Sequence, residues 1–461
     1  MTALPNRSPG TEGRASPVRA DVPSGGRPSK RFACTARGAG AMGLVLAAAL
    51  TGCTSEAAAP AQEPDASADL FLPRIPWEGG AEYWSQFSNA DAAGWSDPAF
   101  FPIVSWHNGI SSNEEVQYDK SLGLNTYIGL SEDTSFDLFE ANDVFWIGDR
   151  LNESFNPESP HWVGTFLDDE VDGRFSPEQG LRQLEARAQT APAGTFTMAN
   201  FTQMVISQDM AARDAENLVN GPTDVVSMDM YWYTVPHCSL EPYRSPYLVE
   251  ITQPACRTAS SYGRSVEALR MRDAADGSLQ RLWHFVENLN GGPAEGTYSG
   301  YAQPGQIQGA VMSAVINEAR GILYFNQSFS GECETSNVFR ASQVIPDFCG
   351  QPQIDAVREV NNRIHELAPV INTQSYEYSF GTGLDTMLKT DGTHAYVFAM
   401  PEGGSEPGER TFKLPEGTAT GDVEVLFENR VLSAGGDGSF SDSFEHEYTF
   451  HIYRVPLAGQ G

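Results

Sequence analysis

Eight short apolar runs, separated by polar helix-like stretches between Phe100 and Phe329, predict an α/β fold, a (β/α)8 TIM barrel. Two further observations support it. The runs are nearly continuous in Val, Ile, Leu, Phe and Trp, as expected of parallel strands buried on both faces. From about Gln374 the texture changes to alternating strands with Gly-rich turns over about 90 residues, the pattern of a C-terminal antiparallel β-sandwich. No G-x-G-x-x-G opens any of the runs, which argues against a doubly wound open sheet.

Residues 1–53 read as a lead and an export signal. Lys30, Arg31 and Arg37 precede the apolar run from Ala41 to Leu50, which is too short to span a bilayer. It leads into Leu50-Thr51-Gly52-Cys53, which resembles a bacterial lipobox. Cleavage there would leave Cys53 as a lipid-bearing N-terminus, anchoring the chain at the outer face of the cytoplasmic membrane. Residues 54–70, with their Ala, Pro and Ser, are expected to form a flexible linker.

Residues 71–372 are assigned to the barrel. Its runs are FFPIVSWHNG from Phe100, GLNTYIGL from Gly123, DVFWIGD from Asp143 and WVGTFLDDE from Trp162. GTFTMANF from Gly194, DVVSMDMYWY from Asp224, LWHFVENL from Leu282 and GILYFNQSF from Gly321 complete the series. SPEQGLRQLEARAQT between the fourth and fifth runs predicts a helix with Ser176 as its N-cap. QIQGAVMSAVINEAR predicts another before the last strand. After a long helix, IDAVREVNNRIHELAPVI, residues 373–461 form the sandwich, with Gly383 to Gly392 expected to be turn-like. The sandwich reads as a docked accessory domain.

The 461-residue chain carries a net charge of −31. Beyond residue 53 it holds 22 basic against 58 acidic residues, a net of −36. That surface repels nucleic acid, anionic lipid and polyanionic polysaccharide, and more easily accepts a neutral or cationic substrate. Oligomeric state is not legible. Cys238, Cys256, Cys333 and Cys349 remain once Cys34 and Cys53 are set aside. Their short separations favour disulfides Cys238–Cys256 and Cys333–Cys349, in keeping with an exported chain. Zinc is the rival use, but no C-x-x-C or H-E-x-x-H occurs. No P-loop or G-x-S-x-G elbow is present either, so neither a metal nor a cofactor is expected.

Active sites of such barrels gather at the C-terminal ends of the strands. There the runs offer His107 and Asn108, Asn125, Asp168-Asp169-Glu170, Asn200, Asp229 with Tyr231, Trp232 and Tyr233, Glu287-Asn288, and Asn326. Amides and carboxylates pair with sugar hydroxyls, aromatic rings stack on pyranose faces, and two carboxyl groups suffice to cleave a glycosidic bond.

FPIVSWHNGISSNEEVQYDKSLGLNTYIGL, FLDDEVDG, DVVSMDMYWY, WHFVEN and AVINEARGILYF together resemble the retaining glycoside hydrolases of clan A, in agarase- and galactosidase-like lineages. The resemblance spans about residues 98–330. It implies Glu170 as general acid/base and Glu287 as nucleophile, with carboxyl groups about 5 to 5.5 Å apart. It also implies Asp229 and Tyr231 as contacts to substrate or to a catalytic Glu. His107, Asn108, Asp169, Asn200, Trp232, Tyr233, Asn288 and Asn326 complete the expected sugar-binding set. Much of the clan has Asn where this chain has Asp169, which can accept a hydrogen bond but offers no amide N–H. Blander uses remain open: Asn125 as a tie between barrel loops, His284 as a packed strand residue, Asp168 as surface charge, Asp172 as a turn residue with Gly173. A glycan-binding lipoprotein without catalysis is the alternative function.

Overall fold

The computed structural model describes residues 70–106, 109–235, 238, 246–251, 255–291 and 300–458. Cys53 and the linker before residue 70 lie outside these residues, as do His107 and Asn108. All eight apolar runs become strands: β1 Ile103–Trp106, β2 Thr126–Ile128, β3 Phe145–Ile147, β4 Trp162–Asp169, β5 Phe196–Phe201, β6 Val225–Met228, β7 Arg281–Glu287 and β8 Ile322–Phe325. They close in sequence order into a parallel barrel. Residues of β1, β2, β3, β6, β7 and β8 are buried throughout, since the interior covers one face and helices the other. The helix Pro177–Ala188 begins at a capping box between Ser176 and Gln179. No helix among the described residues is long and apolar enough to cross a membrane.

Aromatic residues fill the lower barrel. Trp84 meets Trp95 at 4.8 Å and Phe196 at 5.1 Å, while Trp283 lies 6.3 Å from both tryptophans. Gly164 on β4 makes room for this layer, because a Cβ there would stand 2.6 Å from the Phe196 ring. Gly164→Val is therefore expected to cost about 1–3 kcal/mol by overpacking, read as a lower denaturation midpoint in urea.

Beneath the aromatics sits a buried charge cluster. Glu78 Oε1 lies 3.5 Å from Arg281 Nε and 3.9 Å from Arg320 Nε, with all three side chains at most 2% exposed. Burial alone would raise the Glu78 pKa, but the two guanidinium groups outweigh it and hold it low. Glu78→Gln would leave buried Arg281 with no carboxylate partner among the described residues, and Arg320 with Glu318 alone, and is expected to cost about 3–5 kcal/mol in equilibrium unfolding.

The C-terminal region forms a five-stranded sheet in the order β13-β12-β15-β10-β9, with a two-stranded partner β11-β14. The strands are β9 Leu384–Thr390, β10 His394–Pro401, β11 Gly408–Lys413, β12 Asp422–Val425, β13 Arg430–Ser433, β14 Ser439–Phe444 and β15 His451–Pro456. Their apolar faces enclose a separate core around Phe412, Phe440 and Tyr453. Two expectations need correction. Leu384–Thr390 is not a turn: it pairs along its whole length with β10 and buries Met387 and Leu388. Leu70 also packs into the sandwich core and Arg74 bridges to Tyr376, so the chain touches the sandwich before it enters the barrel.

The sandwich is tied to the barrel through the β14–β15 turn. Tyr448 lies against the helix Pro304–Ile316, where a Cβ on Gly305 or Gly309 would stand 2.5 or 2.6 Å from it. Those glycines are one helical turn apart and form a groove for the ring. Cys238–Cys256 and Cys333–Cys349 are both bonded, as their spacing predicts.

Candidate active site

A cavity of about 400 Å³ opens where β1 and β4–β8 end, lined by Trp106, Asp169, Glu170, Asn200, Asp229 and Tyr231 among others. Trp106 also meets Phe166 at 5.1 Å and Phe285 at 5.4 Å, which closes the aromatic base of the cavity. A second cavity of about 310 Å³ shares Trp106 and Asp169 and runs over β2 and β3. An ion pair between Arg187 and Asp149 borders it.

The end of β4 decides which of its three carboxylates faces this space. Gly164 pairs with Phe196 and Phe166 with Met198, so strict alternation would send Asp168 inward. The register slips between Phe166 and Asp168, and Asp169 instead pairs with Asn200. This bulge gives the inward position to Asp169, which accepts from Asn200 Nδ2 at 2.9 Å. Asp168 is left to pair with Arg174 near the surface. Glu170 then takes a left-handed conformation with φ 50°, a strained setting for a non-glycine residue that ends the strand at the cavity. Its backbone N–H still bonds the Asn200 carbonyl at 3.0 Å.

Asp229 and Glu170 line the same cavity. Asp229 Oδ1 is buried with no partner among the described residues. Burial, with Glu170 and Asp169 nearby, raises the Asp229 pKa well above the usual carboxylate range. Asp229 therefore keeps its proton at a pH where an ordinary carboxyl has lost it. Asp169 is pushed up to about 6, first by burial. Asp172 is buried and pushed up to about 7 by the same cause. Its carboxylate accepts from Thr202 N at 3.1 Å and Thr202 Oγ1 at 2.8 Å, so it ties the segment after Glu170 to the end of β5. The turn role expected for Asp172 gives way to that bond.

Glu287 sits differently. It ends β7 fully buried and is not among the residues lining the cavity. Tyr262 donates its hydroxyl to the carboxylate at 2.7 to 2.8 Å, and Thr234 Oγ1 approaches at 3.3 Å. Gly291 and Tyr231 lie against it: a Cβ on Gly291 would be 2.8 Å from Glu287 Cβ and from Tyr231 Cγ. Burial raises the Glu287 pKa to about 7, opposed by the bonds from Tyr262 and Thr234.

The aromatics after Asp229 divide. Tyr231 lines the cavity and packs on Phe325 at 4.9 Å. Trp232, expected on a stacking wall, is buried and donates its indole N–H to Ser265 at 3.0 Å. Tyr233 is buried too, and donates to Glu447 of the sandwich at 2.8 Å. Asn326, expected at the sugar, is buried and bonds Asn337 and the Phe339 N–H, fixing the start of the helix Val338–Val344. Asn288 is buried with no partner for its amide among the described residues. Asn125 ties the β1 region through Phe101 O and Ile103 N, and His284 is packed in the wall. Sequence reasoning missed Tyr262 and Thr234, which lie off the strand ends it surveyed. It also missed Gln203 and Phe329, which line the cavity from loops. No group of three or more His, Cys, Asp or Glu that could hold a metal ion occurs among the described residues.

No family model and no curated protein sequence matches this chain. Several solved structures are similar at low identity. A protein described as a glycoside hydrolase is 7% identical with a TM-score of 0.47, covering 78% of this chain and 94% of its own. A glycoside hydrolase family 5 protein from Bacteroides vulgatus is 8% identical with a TM-score of 0.47, covering 78% and 90%. A GH30 endoxylanase from Clostridium papyrosolvens is 10% identical with a TM-score of 0.42, covering 85% and 99%. Likenesses this remote assign no residue, and the chemistry rests on the groups of the site itself.

Proposed function

We propose that this chain is a retaining glycoside hydrolase acting on a neutral oligo- or polysaccharide, exported and lipid-anchored through Cys53. The observation that carries the reading is the convergence of Asp169, Glu170 and Asp229 in one aromatic-lined cavity at the C-terminal mouth of the barrel. Burial and its carboxylate neighbours keep Asp229 protonated, which places a proton in the same cavity as Glu170. Asp169, Asn200 and Gln203 offer polar partners for hydroxyls, and Trp106 and Tyr231 offer ring faces. The adjoining cavity over β2 and β3 leaves room for a further sugar unit.

In the proposed reaction Glu287 attacks the anomeric carbon while Glu170 protonates the leaving oxygen. The glycosyl-enzyme ester is then cleaved by water that Glu170 deprotonates, which returns both carboxyls to their starting states. Tyr262 and Thr234 stabilise the charged form of Glu287 before attack. The two disulfides support export, since such bonds persist in oxidising surroundings.

One observation favours the alternative of a glycan-binding barrel: Glu287 does not line the cavity. A screen of neutral oligosaccharides separates the two readings, with product chain lengths measured and the anomeric form of fresh product followed by proton NMR. The hydrolase reading expects shortened products that first appear in the starting configuration. Inverted product would refute retention. Binding without any cleavage would establish the alternative.

A further inference from the structure

The β14–β15 turn reaches the barrel wall at one polar contact that a merely docked domain does not require. Glu447, half-buried, accepts from the Tyr233 hydroxyl and from the Ala259 backbone N–H, both at 2.8 Å. Each carboxylate oxygen therefore meets one donor. Ala259 is the N-cap of the helix Ser260–Asp273 and has no side chain able to cap it. A carboxylate from the sandwich supplies the missing acceptor, at the helix end where negative charge is favoured.

The same two anchored residues flank Tyr262. Tyr262 lies three positions beyond Ala259, and its hydroxyl oxygen accepts from the Tyr233 backbone N–H at 3.1 Å. With that N–H as donor, the hydroxyl proton of Tyr262 is directed to Glu287 at 2.7 to 2.8 Å. The path thus runs from Glu447 through Tyr233 and the start of the helix to Tyr262 and Glu287. We propose that Glu447 is a positioning residue: the sandwich contributes it to hold Tyr262 in the orientation that donates to Glu287.

The inference rests on the hydrolase reading only for its consequence in catalysis. The ionisable groups bearing on Glu287 are Tyr231, Tyr233, Tyr262 and Arg257, and His446 bears on Glu447 itself. Among them, Tyr262 is the one that donates a side-chain hydrogen bond to the Glu287 carboxylate. Loosening it removes a bond that favours the charged form.

The test is Glu447→Gln, which offers one acceptor oxygen to two donors. On an oligosaccharide that the wild-type chain cleaves, kcat is expected to fall about 3- to 10-fold with KM unchanged. The acid limb of kcat/KM should move to higher pH, and Glu447→Asp should restore part of the loss. Phe440→Leu, in the sandwich core, serves as the stability control: it should lower Tm without moving the acid limb. A second measurement needs no substrate. In a cycle of Glu447→Gln, Glu287→Gln and the double variant, the Tm changes should be non-additive if the two carboxylates are coupled. An unmoved acid limb together with additive Tm changes would reduce Glu447 to a docking contact. If no oligosaccharide is cleaved, the hydrolase reading fails while the cycle still decides the role of Glu447.

Discussion

Glu287→Gln is expected to lower kcat by roughly 10⁴-fold or more, the scale on which removal of a nucleophile is felt. The amide keeps the shape and one acceptor oxygen for Tyr262, so the fold should persist. Stability at pH 8 should hold or rise, because the substitution removes a carboxylate that burial holds at a pKa of about 7. Loss of activity with gain of stability is the signature of a functional group in an unfavourable site. Glu287→Ala with added azide gives the sharper test: azide occupies the emptied space and yields a glycosyl azide of inverted configuration. Glu170→Gln should behave otherwise. Its loss is expected to be about 10² to 10⁴-fold with natural leaving groups and much smaller with an aryl leaving group that departs without a proton. Persistent turnover in Glu287→Gln would sink the nucleophile assignment, and Asp229 would become the next carboxylate to replace.

The contrast between those two glutamates also shows what the sequence discloses. Eight continuous apolar runs are enough to give the barrel, because a strand buried on both faces has to be apolar at every position. Strand ends then point to Glu170, Asp229 and Tyr231, which all line the cavity. The division of labour within Asp168-Asp169-Glu170 is not visible in that pattern. It depends on a one-residue slip between β4 and β5, and such a slip exchanges inward for outward positions without changing composition. Trp232 and Asn326 mislead for a related reason. Beyond the last ladder residue the alternation of a strand no longer applies, and both side chains turn into the wall. Glu447 was beyond reach of any local reading, since it meets Tyr233 across 214 residues from another domain. The β9 strand was hidden by its flanking glycines, although Thr386-Met387-Leu388 has ordinary strand chemistry.

The second large effect is on stability as pH varies. Glu287 and Asp172 are raised to about 7, and Asp169, Asp273 and Asp385 to about 6, with burial the leading cause for each. Asp229 is raised further by burial and by its carboxylate neighbours. A carboxyl whose folded pKa lies above its unfolded value binds its proton more tightly in the native state. Its contribution is fully present below the unfolded value, 3.8 for Asp or 4.5 for Glu, and is lost as pH rises through the folded value. Several such groups act in the same window, each worth about 1.4 kcal/mol per tenfold change in proton affinity. Tm is therefore expected to fall by several degrees between about pH 5 and pH 8. Ion-paired carboxyls set the opposite edge. Glu78, Glu428 and Asp442 are held below their ordinary values by Arg and His partners that outweigh burial, so their contribution is lost as pH falls through those lowered values. Stability should peak between the two edges, near pH 5. Thermal unfolding of wild type and Glu287→Gln at pH 5 and pH 8 checks the sign. The variant should gain on wild type at pH 8 and lose that advantage at pH 5, and a wild-type Tm that rises steadily across this range would overturn the argument. Catalysis by a charged Glu287 requires a pH near or above 7, where the buried carboxyls strain the fold, so the optimum for turnover should lie above the optimum for stability. Asp229 makes that separation workable, because burial and its carboxylate neighbours let it keep a proton in the cavity at a pH where Glu287 is losing its own.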